Sequence, residues 1–109
     1  MIVVTTETVP GRTITRAVGL VRGNTIRARH VGRDILAILR NLAGGEVTEY
    51  TKLMGESREQ AIDRMVQEAE QLGADAVVAV RFTTSMVMST AAEILCFGTA
   101  VTLEPEGRR

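Results

Sequence analysis

Apolar positions along this chain fall into two patterns, one helical and one extended. From Glu46 to Leu72, Val47, Tyr50, Met54, Ala61, Met65, Ala69 and Leu72 recur at intervals of three, four or seven, and Ile62 and Val66 widen the stripe. That spacing predicts an amphipathic helix. Gly73 closes it, because glycine takes the left-handed conformation a helix C-terminus needs. Gly55 and a capping-box pattern at Ser57-Arg58-Glu59-Gln60 mark a weak point, so one helix is expected and a division into two stays open. A shorter helix is expected from Asp34 to Ala43, ended by Gly44-Gly45.

The extended segments are shorter and richer in β-branched residues. Ile2 to Thr5 reads as a brief strand, followed by a turn at Pro10-Gly11. Thr13 to Asn24 is extended, with Gly19 suggesting a bulge or a close backbone approach, and Gly23-Asn24 could turn or bend the chain. Thr25 to His30 is polar and Arg-rich, and His30 is expected in a surface loop. The clearest strands are Ala76 to Met88 and Ala91 to Leu103, joined at Ser89-Thr90 as a hairpin. Val77-Val78-Ala79-Val80 and Ile94-Leu95-Cys96-Phe97 are apolar on both faces, which is the mark of strands buried on both sides. One helix layer covers one face. A neighbouring subunit is the economical cover for the other.

Composition sharpens this expectation. The 109 residues are 45% hydrophobic but only 3% aromatic, so the core must be built from small aliphatic side chains and methionine. A single domain over residues 1–109 of this size has one modest core, and burial against a second copy would add to it. Cys96 is the only cysteine, which excludes an intrachain disulfide and fits a reducing compartment. The first residues lack the pattern of a signal peptide, and no apolar run approaches the roughly 20 residues of a membrane span. A cytoplasmic location without membrane contact is expected.

The net charge of zero hides a split. Through Gly45 the chain has seven Arg against Glu7 and Asp34, and from Glu46 it has six Lys or Arg against eleven Asp or Glu. The Arg residues are scattered and lack interleaved aromatics, so complementary pairing within or between subunits is favoured over nucleic acid.

The ordered combination Gly44-Gly45-Glu46, Tyr50-Thr51, Arg58, Ala61, Leu72-Gly73-Ala74-Asp75-Ala76-Val77, Val80-Arg81-Phe82 and Gly98-Thr99-Ala100-Val101 resembles the YbjQ family. These are small bacterial and archaeal proteins carrying a heavy-metal-binding label. The resemblance covers nearly the whole chain. It implies an α+β fold, an antiparallel sheet packed against helices, and a ring-shaped homo-oligomer described as a pentamer. It implies no reaction. Where such proteins often carry an aspartate after the Arg-Phe pair this chain has Thr83, while the aromatic before the Gly-Thr-Ala-Val stretch is present as Phe97.

The residue types give a metal little support. Soft-metal sites need several Cys or His ligands at fixed spacing, and this chain offers Cys96 and His30 alone. Only a ring could gather copies of one cysteine, and a lone cysteine in a strand is ordinarily a small buried hydrophobe. Glu46 and Glu49 can share a face at the helix start, where a hard cation could use them, although acids there also simply favour the helix dipole. Arg81 interrupts an apolar strand. On strict alternation it shares a face with Val77 and Ala79 and needs a partner such as Glu93, Asp75 or a residue across an interface; anion binding is its functional reading.

Enzyme motifs are missing. The residues favour a non-enzymatic homo-oligomer that binds a small ligand or a metal ion, with Arg81, Glu46, Glu49 and Tyr50 as ligand-binding candidates and Cys96 and His30 as metal candidates. Two other readings stay open: an enzyme with its site between subunits, and a binder of an acidic partner or nucleic acid through the Arg-rich half.

Overall fold

The computed structural model describes residues 1–28, 48–88 and 91–105. Five elements follow one another: β1 (Ile2–Val3), β2 (Ile14–Ala28), α1 (Thr48–Gln71), β3 (Ala76–Met88) and β4 (Ala91–Leu103). They form a four-stranded sheet in the order β1-β3-β4-β2 with α1 laid across one face. β2 and β3 each pair antiparallel with β4, whereas β1 runs parallel to β3, so the sheet is mixed rather than wholly antiparallel. The expected helix at Asp34–Ala43 and the hairpin turn at Ser89-Thr90 lie outside the described residues.

Local chemistry accounts for most element ends. Pro10 and Gly11 form the turn between β1 and β2: the Arg12 N–H donates to the Val9 carbonyl at 3.0 Å, and Gly11 has φ 82°. Proline pre-sets the second turn residue and glycine supplies the positive φ of the third, which defines a type II turn. α1 runs through Gly55 without interruption and ends in a Schellman motif. There the Gly73 N–H (φ 75°) donates to the Glu70 carbonyl at 3.0 Å and the Ala74 N–H to the Ala69 carbonyl at 3.1 Å.

The helix rests directly on β2. Its buried stripe runs through Ser57, Ala61, Met65 and Ala69, and the last three pack with Val21, Val77, Val80, Ile94, Cys96 and Ala100. Gly23 permits the close approach: a Cβ there would meet the Ala61 carbonyl oxygen and the Met65 amide nitrogen, with the Arg64 Cβ at 2.8 Å. β2 therefore continues straight through Gly23-Asn24, where a turn or bend had been an option, and extends to Ala28. Two side chains of α1 also reach over the outer edge of β2. Glu68 Oε1 accepts the Arg22 N–H at 3.3 Å, and Arg64 Nη1 donates to the Asn24 carbonyl at 2.6 Å.

Among the described residues, the opposite face is covered at one end only. Val9, with Ile2, Val4 and Ile14, packs on Ala76, Val78, Val101 and Leu103. So the chain itself covers the second face of the Val77–Val80 run, where a neighbouring subunit had been expected. Beyond it, Leu20 and Ile26 are exposed, and Leu95 and Phe97 are half-buried.

Between Val78 and Arg81 the β3–β4 register slips by one residue, and Ala79 sits in the left-handed region at φ 55°. The extra residue is a β-bulge, which breaks strict alternation and moves every later side chain to the other face. Val77 and Val80 consequently both join the core under the helix.

Candidate functional site

The bulge determines where Arg81 points. It pairs with Phe97, on the face that carries Val78 rather than on that of Val77. It is exposed, and its Nη1 donates to the Thr5 carbonyl at 2.9 Å and the Val80 carbonyl at 2.8 Å. The expected carboxylate partners are engaged elsewhere. Asp75 Oδ2 accepts the Leu103 N–H at 2.8 Å, and Glu93 Oε2 accepts from Asn24 Nδ2 at 3.1 Å. Backbone carbonyls satisfy the Arg81 Nη1 group and tie the N-terminal segment to β3, while Nε and Nη2 keep three further donors.

Across the sheet, Arg22 on β2 pairs with Phe97 on β4, and Phe97 pairs with Arg81 on β3. Residues directly opposite in a sheet lie on one face. One aromatic ring therefore stands between two arginines, whose Cα atoms are about 10 Å apart at two strand spacings. Leu20, Asn24, Ile26, Leu95 and Glu93 continue this open face. Arg22 and Phe97 were not singled out as a pair with Arg81 from the sequence, because only the cross-strand register brings them together.

The remaining candidates do not gather around this row. Glu49 and Tyr50 fall in the first turn of α1. Glu46 and His30 lie outside the described residues. Cys96 points the other way, into the core beneath α1, where it is fully buried and its thiol donates to Met65 Sδ at 3.6 Å. Burial pushes the Cys96 thiol pKa up from its ordinary value of 9.0. A thiolate is the form that binds metal, and this thiol is held neutral. No copy of the chain can bring its own Cys96 alongside while α1 and the sheet enclose both, so the symmetric thiolate cluster is closed off as well. Among the described residues there is also no group of three or more His, Cys, Asp or Glu placed to hold a metal ion.

Among the described residues, fold and site define an α+β protein whose sheet is open over part of the face opposite α1, with a basic row across that part. Over residues 1–104 the chain matches the sequence model of the YbjQ family, described as "Putative heavy-metal-binding". It belongs to that family. It is 59% identical to a UPF0145 protein of Methanosarcina acetivorans over 93% of this chain and 95% of the relative, and 57% identical to one of Archaeoglobus fulgidus over 94% and 95%. A crystal structure of a protein of unknown function from Pediococcus pentosaceus, assigned to the DUF74 family, has the same fold. It gives a TM-score of 0.70 at 15% identity, over 95% of this chain and 98% of that one. No helix among the described residues is long and apolar enough to cross a membrane. Among the described residues the donor set does not fit a heavy metal.

Proposed function

We propose that this protein is a non-enzymatic cytoplasmic homo-oligomer, a single domain per subunit and pentameric as the family resemblance implies, that holds a small anionic ligand on its open sheet face where subunits meet. The observation that carries this reading is the Arg22–Phe97–Arg81 row. Guanidinium groups bind carboxylates and phosphates through paired, charge-assisted hydrogen bonds. An aromatic ring between them offers a flat apolar surface for the rest of the ligand.

The homo-oligomer rests on the family resemblance and on the apolar side chains Leu20, Ile26, Phe82 and Met86, which are exposed on the subunit.

Calorimetric titration with inorganic phosphate and with a nucleoside monophosphate tests the ligand class. Arg22 has no side-chain partner among the described residues, so Arg22→Gln should leave the fold intact. It should weaken anion binding about tenfold, the equivalent of about 1.4 kcal/mol. Wild-type protein that binds neither anion would contradict the ligand class.

A further inference from the structure

The row at Phe97 is the first of three that cross the open part of the sheet. One step along the strands, Asn24 and Thr83 both pair with Leu95, and a further step on, Ile26 and Ser85 both pair with Glu93. Cross-strand partners share a face, and a step of two residues advances about 7 Å. Two arginines, an aromatic ring, a leucine and a carboxylate therefore follow one another along one surface.

Glu93 is drawn toward the arginines. Its Oε2 accepts from Asn24 Nδ2 at 3.1 Å, and Asn24 lies one step nearer to Arg22; Oε1 has no partner among the described residues. Arg81 does not neutralise it, since Nη1 goes to the carbonyls of Thr5 and Val80. A cationic end and an acceptor end thus stand between about 7 and 13 Å apart, with apolar surface between them.

We infer that this surface takes a nucleoside monophosphate whose base carries an exocyclic amino group. The phosphate lies on Arg22 and Arg81, the base over Phe97 and Leu95, and the amino group donates to Glu93. The inference rests on the anion-binding reading of the arginine row and names the class of ligand. Each of the three chemistries selects one part of the same molecule. Guanidinium groups clamp phosphate, aromatic faces stack bases, and a carboxylate accepts from a base amino group. A free α-amino acid has both charges on one carbon, too close together to span a step of the sheet. A dicarboxylate would set its second charge against Glu93. Only one phosphate is provided for: toward Glu93 the next phosphate of a polynucleotide would meet a carboxylate, and in the other direction Val78 is packed under the N-terminal segment. A free mononucleotide is therefore favoured over a unit of RNA or DNA.

Calorimetric titration of the wild-type protein with inorganic phosphate, ribose 5-phosphate, CMP and UMP tests this. CMP should bind about tenfold tighter than ribose 5-phosphate, which lacks the base. It should also bind about tenfold tighter than UMP, which presents a carbonyl oxygen where CMP has its amino group. Glu93→Ala, checked for wild-type circular dichroism, should abolish the preference for CMP over UMP and leave phosphate affinity equal or higher. Phosphate binding with CMP no tighter than ribose 5-phosphate, or with CMP and UMP alike, would overturn the inference and leave the anion reading standing. A cytidine oligonucleotide that binds tighter than CMP would overturn the choice of a free mononucleotide. A wild type that binds none of the four would overturn both readings.

Discussion

The Cys96 thiol donates to the sulfur of Met65 at 3.6 Å, with both side chains fully buried between the helix and the sheet. A metal ion could reach this pair only by opening the core. Soft metals such as Cd²⁺ bind thiolate, and the thiolate becomes available when the chain unfolds. A ligand that prefers the unfolded state destabilises the folded one. Cd²⁺ at millimolar concentration should therefore lower the thermal midpoint, and a thiol reagent should leave Cys96 unmodified until the protein denatures. A raised midpoint with one Cd²⁺ retained per subunit would contradict this placement of Cys96.

The same burial gives stability a pH dependence of known sign. The folded thiol titrates above 9.0 and the unfolded thiol near its ordinary value, so above that value the unfolded state has fewer protons bound. Stability from this group is complete below the ordinary value of 9.0 and is lost as pH rises toward the folded pKa. Denaturant midpoints measured from pH 7 to 10 should fall at the alkaline end, and Cys96→Ala should flatten that fall.

Gly23 lies where α1 and β2 touch. A methyl group would run into the Ala61 carbonyl and the Met65 amide, which are helix backbone and cannot rotate away. Gly23→Ala should cost about 3 kcal/mol or more, read from urea unfolding. A change below about 0.5 kcal/mol would mean that helix and strand are not in this contact.

Ala79 makes the opposite case. An L-residue held at φ 55° costs about 1–2 kcal/mol, and glycine escapes that cost at an entropic penalty of about 0.5–1 kcal/mol. Ala79→Gly should thus stabilise the protein by about 0.5 kcal/mol although it places glycine in a strand. Ala79→Val, β-branched in the left-handed region, should destabilise it. Paired thermal melts distinguish the two.

Much of the fold was legible in the sequence. Ala76–Met88 and Ala91–Leu103 emerge with the boundaries that their β-branched runs indicate, because both strands are long and apolar and a break in pattern separates them. The long helix is similarly plain, and Gly55 does not break it because Met54, Ser57 and Ala61 keep one continuous packed stripe across it. The partner of Arg81 was not legible. Its face depends on a bulge at Ala79, and alanine is no marker of a positive φ. Gly23 was ambiguous in principle, since the missing Cβ that would suit a turn also suits a close helix approach. The Arg22–Phe97–Arg81 row needs the pairing register of three strands, and no local pattern contains that.

The mass of the purified wild-type protein in solution, measured by light scattering across a micromolar concentration range, tests the central claim most directly. The proposed assembly predicts an oligomer of fixed mass that persists on dilution, with a pentamer as the expected size. A monomer of 11.8 kDa throughout the range would contradict the proposed assembly.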